Sequence, residues 1–223
     1  MANEKLATYG RPADAQYVSI ARVGSGVTIP TSVSATLTGF SDAGLVTEDG
    51  ITQGMDLGVG DPLKDWNKKS ILVPEADPSA TVEIRLMSQT LTSLGIVYGA
   101  ANVTGTDATG LSYKFDGTTD NFIIVIDELW NDTNGQPTRA HRLVYPSAKL
   151  KEISDIDHTK DGAVIYDCTF EATVDTSGFY FYGYVGAATP TQAAAGGAAG
   201  GAAAGGTEGG NGGTSGGNGG TEG

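Results

Sequence analysis

The chain has 223 residues, and its 13 lysines and arginines stand against 26 aspartates and glutamates, a formal net charge of −13. That balance excludes tight binding of polyanions, which draws on basic side chains to displace counterions from phosphate; no basic run is longer than Lys68-Lys69, and nothing after Lys160 is basic. A single cysteine, Cys168, excludes an internal disulfide framework and a cysteine-based metal cluster.

In chain order, residues 1–14 read as an N-terminal arm without the apolar stretch of a signal peptide, and no run approaches transmembrane length. The expectation is a chain made in the cytosol, with no membrane partner. Residues 15–186 carry the composition of one domain, in which short stretches rich in Val, Ile, Thr and aromatics alternate with Gly, Pro, Asn and Asp clusters. This is the pattern of a mainly β domain. Residues 17–23 form the first strand candidate, followed by the loop GSGVTIPTS. Residues 44–54, GLVTEDGITQG, read as a hairpin with Glu48, Asp49 and Gly50 at the bend, because an Asp-Gly pair between β-prone residues tolerates positive φ. A metal loop is rejected there, since Thr47 and Thr52 do not complete an oxygen cage.

Residues 57–78 form a polar loop too long for a compact domain without a function of its own. Trp66 lies within it. In ATVEIRL, Ala80, Val82, Ile84 and Leu86 alternate with Thr81, Glu83 and Arg85, the signature of a half-buried strand. One short helix is predicted in MSQTLTSLGIVYG, with Leu91, Leu94 and Tyr98 on a common face, Gly95 weakening it and Gly99 as its stop. Residues 121–130, NFIIVIDELW, are apolar on both faces and so read as a central strand or a subunit contact.

The clearest alternation runs from Val164 to Val174: Val164, Tyr166, Cys168, Phe170, Ala172 and Val174 share one face, and Ile165, Asp167, Thr169, Glu171 and Thr173 the other. Cys168 is therefore expected in the core. Residues 179–185 form an aromatic strand with Tyr180, Tyr182 and Tyr184 in one row. From residue 187 to 223 only small and polar residues remain, in Gly and Ala doublets, a composition that cannot repay its ordering entropy and reads as a disordered tether.

Catalytic constellations were sought along the whole chain. The G-x-S-x-G match at residues 213–217 falls in the Gly-rich tail, away from the strand and helix that a nucleophile elbow needs. His141 and His158 are the only imidazoles and form no helical ligand pair. NDTNGQ, residues 131–136, resembles part of a calcium loop, yet Trp130 and His141 would occupy the first and twelfth ligand positions, so a β-turn is the better reading. DIDHTKDG, residues 155–162, has three aspartates but no distal glutamate and reads as a solvated turn. No enzyme, metal or cofactor is expected.

Taken in order, YVSIARVG, the Ile29-Pro30-Thr31 segment, GFSDAGLVTEDGIT with its Glu48-Asp49-Gly50 motif, the acidic loop with Trp66, ATVEIRL, the helix running into IVYGAANVTG and the aromatic C-terminal strand resemble the major tail tube proteins of long-tailed, siphovirus-type bacteriophages, those of actinobacteria in particular. The resemblance covers roughly residues 15–185. It implies a β-sandwich flanked by a helix, six copies closing into a ring, and rings stacking into a hollow tail tube through which viral DNA passes during ejection. It also implies a virion location and, as partners, further copies of the chain, a tape measure, a tail terminator and baseplate or distal tail proteins. In such proteins a loop at the place of residues 57–78 reaches the neighbouring ring, with Trp66 as the candidate anchor; the alternative is that Trp66 folds back on its own domain. Some relatives carry an immunoglobulin-like domain where this chain has its Gly/Ala tail.

A carboxylate-lined channel makes no counterion-releasing contact with phosphate. Glu83, Asp167 and Glu171 are the candidate lumen-lining residues on that argument, although the same alternation describes ordinary solvated strands. The competing reading from another class is a capsid decoration or surface adhesion module.

Overall fold

The computed structural model describes residues 9–12, 17–74, 77–131 and 137–188. Alternating sequences of this kind must pair their backbone groups with neighbouring strands, and here they do so antiparallel throughout. The strands are β1 Tyr9–Pro12, β2 Val18–Arg22, β3 Ser41–Asp42, β4 Val46–Asp56, β5 Leu63–Lys64, β6 Ser70–Leu72, β7 Ser79–Leu86, β8 Val103–Thr106, β9 Gly110–Tyr113, β10 Asn121–Asn131, β11 Pro137–Ile153, β12 Tyr166–Ala172 and β13 Tyr182–Ala187, with helix α1 at Leu91–Tyr98. The main sheet runs β3-β2-β10-β11-β12-β7-β4, with β1 added to β10 and β13 to β11, while β5-β6 and β8-β9 are separate two-stranded hairpins.

The sheet curls on itself into two facing layers. Val18 and Ile20 of β2, Phe122, Ile124 and Ile126 of β10, Val82 and Ile84 of β7, Tyr166 and Phe170 of β12 and Ile96 of α1 all meet in one core. The Tyr17 hydroxyl, at the root of β2, accepts from the Val46 amide at the start of β4, which joins the two ends of the sheet path. The result is the mainly β fold expected from the strand pattern, arranged as the sandwich with one short helix that the family resemblance implies.

Strand β7 alternates buried and half-buried residues without a break, and β12 does the same from Tyr166 to Ala172, with Cys168 fully buried. Burial pushes the Cys168 thiol up to about 12, so it stays protonated. The predicted alternation overshoots the observed β12 at its C-terminal end. The Thr173 amide makes a last rung to the Ser147 carbonyl of β11, and beyond it the chain leaves the sheet, so Val174 is exposed. Strand β10 is central, with Ile123 and Val125 as buried as Ile124 and Ile126.

Its partner β11, 17 residues long, is the longest of the described strands and has no counterpart in the sequence reading. Pro146 and six Lys, Arg, His or Glu side chains obscure it. The structure shows why the proline is tolerated. Phe122 pairs with Ala148 but Ile124 with Tyr145, so the extra residue forms a bulge at Pro146-Ser147, where a missing N–H does no harm. That bulge also marks where β11 changes its second partner, from β13 along Arg139–Val144 to β12 along Ala148–Ile153.

Helix α1 starts at Thr90, whose hydroxyl accepts from the Ser93 amide while the Ser93 hydroxyl accepts from the Thr90 amide, a reciprocal capping box. Its burial differs from the predicted face. Leu94 is buried as expected, but Leu91 is exposed, and Ser93, Gly95, Ile96 and Val97 are buried as well. The helix lies between the core and the β8-β9 hairpin rather than on a surface, so more than one of its sides is covered. Asn102, just beyond it, is buried and donates to the Tyr98 carbonyl and the Asp116 carboxylate.

The hairpin expected at GLVTEDGITQG is absent. Val46 to Asp56 is one continuous strand on β7, and the ladder passes from Val46–Leu86 directly to Ile51–Ile84. Residues 47–50 are therefore an enlarged bulge opposite Arg85. The Asp-Gly signal was read correctly as a demand for positive φ, which Gly50 meets at +77°, but a bulge satisfies that demand as well as a turn does. The expected N-terminal arm likewise contributes a strand, β1. The NDTNGQ turn (132–136), the G-x-S-x-G match and the tail from residue 189 lie outside the described residues. Among the described residues no helix is long and apolar enough to cross a membrane.

Candidate assembly interface

Between β4 and β7 the described residues 57–74 and 77–78 leave the sheet as a projecting arm. Its two limbs are held together by the Gly60 amide to the Pro74 carbonyl at 3.0 Å, by Leu63 opposite Leu72, and by Lys64 opposite Ser70. The tip is a built turn. One Asp65 carboxylate oxygen accepts from the amides of Asn67 (2.9 Å) and Lys69 (2.8 Å), and the Asp65 amide donates to the Lys69 carbonyl. Held on that turn, Trp66 is 99% exposed, so it does not fold back on its own domain. Leu57, Val59, Leu63, Ile71 and Leu72 are exposed beside it, as are Lys64, Lys68 and Lys69. A run of uncovered apolar side chains of this kind marks a contact surface. The Tyr180 hydroxyl donates to the Pro78 carbonyl and tethers the root of the arm to the body.

The predicted carboxylates come together on the outward face of β7 and β12. Glu83 lies opposite Thr169, Asp167 opposite Arg85, and Glu171 opposite Thr81. Arg85 is the hub. Its guanidinium reaches Glu83 at 2.8 Å, Asp167 at 3.0 Å and Asp49 of the β4 bulge at 3.2 Å. One cation thus faces three carboxylates, two from the predicted lumen set and one from the bulge motif. Glu171 is paired instead with Lys151 at 2.9 Å, and the exposed Lys149 lies directly across from it. The face is acidic overall but not a bare carboxylate wall. The alternation already placed Arg85 beside Glu83; its role as a hub needed the bulge to bring Asp49 over it.

Glu48 and Asp49 also line a cleft of about 450 Å³ between the bulge and β10, shared with Tyr17, Ile126, Asp127 and Glu128. Asp127 lies on the face of β10 away from the main core, in the row of Ile123 and Val125, where Arg142 donates to both its oxygens at 2.6 and 2.8 Å. The same guanidinium, 5% exposed, donates to the carbonyls of Ser32 (3.1 Å) and Ala35 (2.7 Å), pinning the loop after β2 across the sheet. This pair was missed. Its signal was Asp127 itself, a carboxylate continuing the apolar row of Ile123 and Val125. Glu128 faces the other way, 3.0 Å from the His141 ring. That hydrogen bond holds Glu128 below the usual glutamate range against the burial that pushes it up. His141 packs its ring at a tilt against Trp130, with ring centroids 4.8 Å apart, while His158 is exposed in the loop after β11. Among the described residues no group of three His, Cys, Asp or Glu side chains is placed to hold a metal ion.

The family model described as phage tail tube protein matches residues 10–194. A comparison with curated proteins gave no match.

Proposed function

The chain belongs to the phage tail tube protein family, and from that premise we propose that copies close into rings, six to a ring, whose stacking builds the hollow tube of a long, flexible phage tail. The family makes this a structural component of the virion tail that assembles with itself, and points to a non-enzymatic role. The finer reading is supported by edges and by the arm. Among the described residues strand β4 pairs only with β7, and β13 only with β11, so each leaves a row of backbone groups for another chain to pair with. A heterologous contact between unlike edges closes into a ring, and a second between unlike faces gives an open stack.

The observation that carries the proposal is the arm, with Trp66 held out on an ordered turn. A side chain of that size, fixed and uncovered, is the kind of anchor that fills a pocket on a partner. In this reading the arm of one ring reaches the next. The acidic face of β7 and β12, with Glu83, Asp167 and Glu171, fronts the lumen, where it leaves passing DNA without a counterion-releasing grip. Tape measure, terminator and baseplate proteins cap or fill the tube.

Electron microscopy of the concentrated protein tests the proposal. Rings and tubes of uniform width are expected, and they should persist when residues 189–223 are removed. A strictly monomeric protein that binds a preformed shell would instead favour a decoration module.

A further inference from the structure

We propose that the cleft between the β4 bulge and β10 is the seat for the β5-β6 arm tip of a second copy of this chain. This rests on the reading of the arm as the contact between rings, and it names the surface that receives it.

Charge is the first support. The arm tip carries Lys64, Lys68 and Lys69 against Asp65 alone, in a chain of net charge −13, and Asp65 is engaged in building the turn. The cleft carries the carboxylates of Glu48, Asp49 and Glu128, while that of Asp127 is turned away to Arg142 on the other face of β10. Glu128 is held by His141, and Arg85 is divided among Asp49, Glu83 and Asp167, so the bulge side keeps an excess of negative charge. Glu48 and Asp49 are both exposed, ready for lysines from outside.

Shape and chemistry agree. The cleft has an apolar floor from Tyr17, Val46, Ile51 and Ile126 beneath its acidic rim, and its volume lies in the range of pockets that hold a ligand-sized group. An indole with flanking ammonium groups matches that arrangement. Direction agrees too. The arm leaves the β4-β7 ladder where Asp56 pairs with Ser79, whereas the bulge sits at the opposite end, where Val46 pairs with Leu86. At about 3.3 Å per residue the two ends of β7 lie roughly 25 Å apart. Translating one copy along the strand direction therefore brings arm to cleft, head to tail, and the contact repeats without closing.

Charge exchange tests this in the full-length protein. Lys68→Glu with Lys69→Glu, and separately Glu48→Lys with Asp49→Lys, should each abolish tubes while leaving rings. Mixing the two variants should restore tubes, because each arm then meets a cleft of opposite sign. As a second readout, a chain carrying both Glu48→Cys and Lys68→Cys should form inter-copy disulfides under mild oxidation, seen as a ladder on a non-reducing gel; the native Cys168 is buried and silent. Trp66→Ala separates the two levels of the argument. Loss of tubes with Trp66→Ala, but no restoration on mixing and no ladder, overturns the cleft as the seat and leaves the arm reading standing. Tubes that survive both Trp66→Ala and the lysine reversals overturn the arm reading along with it.

Discussion

Strand β7 and the arm that precedes it use the same residue types to opposite ends. In β7 every apolar side chain, Ala80, Val82, Ile84 and Leu86, is buried, and a fully buried Val, Leu or Ile contributes about 1.5–3 kcal/mol. A few residues earlier, Leu63, Ile71 and Leu72 are left exposed on a hairpin whose limbs are nonetheless paired at Leu63–Leu72 and Lys64–Ser70. Order in β7 comes from burial; order in the arm comes from Asp65 and the backbone. Apolar surface that the fold does not need to cover is then free for another copy.

The comparison breaks if substitutions in the two regions have similar effects on stability. Phe170→Ala should have the largest. Phe170 is fully buried and meets Phe122 edge to face, with ring centroids 6.3 Å apart, so its loss should cost about 4 kcal/mol. A urea titration reads this directly. Asp127→Leu comes next, at about 3 kcal/mol, because it strands the buried Arg142 guanidinium without its carboxylate. It should also release the loop held through Ser32 and Ala35, making that loop newly sensitive to protease.

Legibility followed the same division. Strands β7, β10 and β12 were readable because each is covered by its own sheet and core, so periodicity alone reports their burial. Strand β11 was not, since its proline is excused by a bulge and its Arg142 by an aspartate on a neighbouring strand, neither of which is local in sequence. The bulge was misread as a hairpin because Gly50 supplies the same φ to either. At the candidate site, the exposure of Trp66 was readable from its polar surroundings. The convergence of Asp49, Glu83 and Asp167 on Arg85 depends on strand register, which one sequence does not disclose.

A smaller effect is expected at the rim of the cleft and is visible through pH. Because His141 holds Glu128 below its ordinary value of about 4.3, the folded state binds that proton less readily than the unfolded chain does. The associated stability is fully present above the unfolded pKa and is lost as pH falls through the depressed folded value. Glu128→Gln should therefore flatten part of the acid limb of a stability-versus-pH curve and change little at neutral pH beyond the loss of one charged hydrogen bond. An acid limb identical to that of the parent would show the His141 contact to be weaker in solution than its 3.0 Å geometry implies.

The smallest effect on folding should come from Trp66→Ala. The indole is 99% exposed and its turn is built by Asp65 rather than by packing, so removing it should shift the free energy of unfolding by no more than about 0.5 kcal/mol. A larger loss, measured by urea titration of the unassembled protein, would mean that the indole covers apolar surface of its own domain and that the contrast with β7 fails. With stability unchanged, any defect in tube growth must arise between copies. Tube growth should also weaken as salt is raised, because the lysines flanking Trp66 are exposed and their attraction to carboxylates is screened within about 10 Å at moderate ionic strength. A salt-sensitive assembly with an unaltered monomer is the signature that separates a side chain held for a neighbour from one held for the fold.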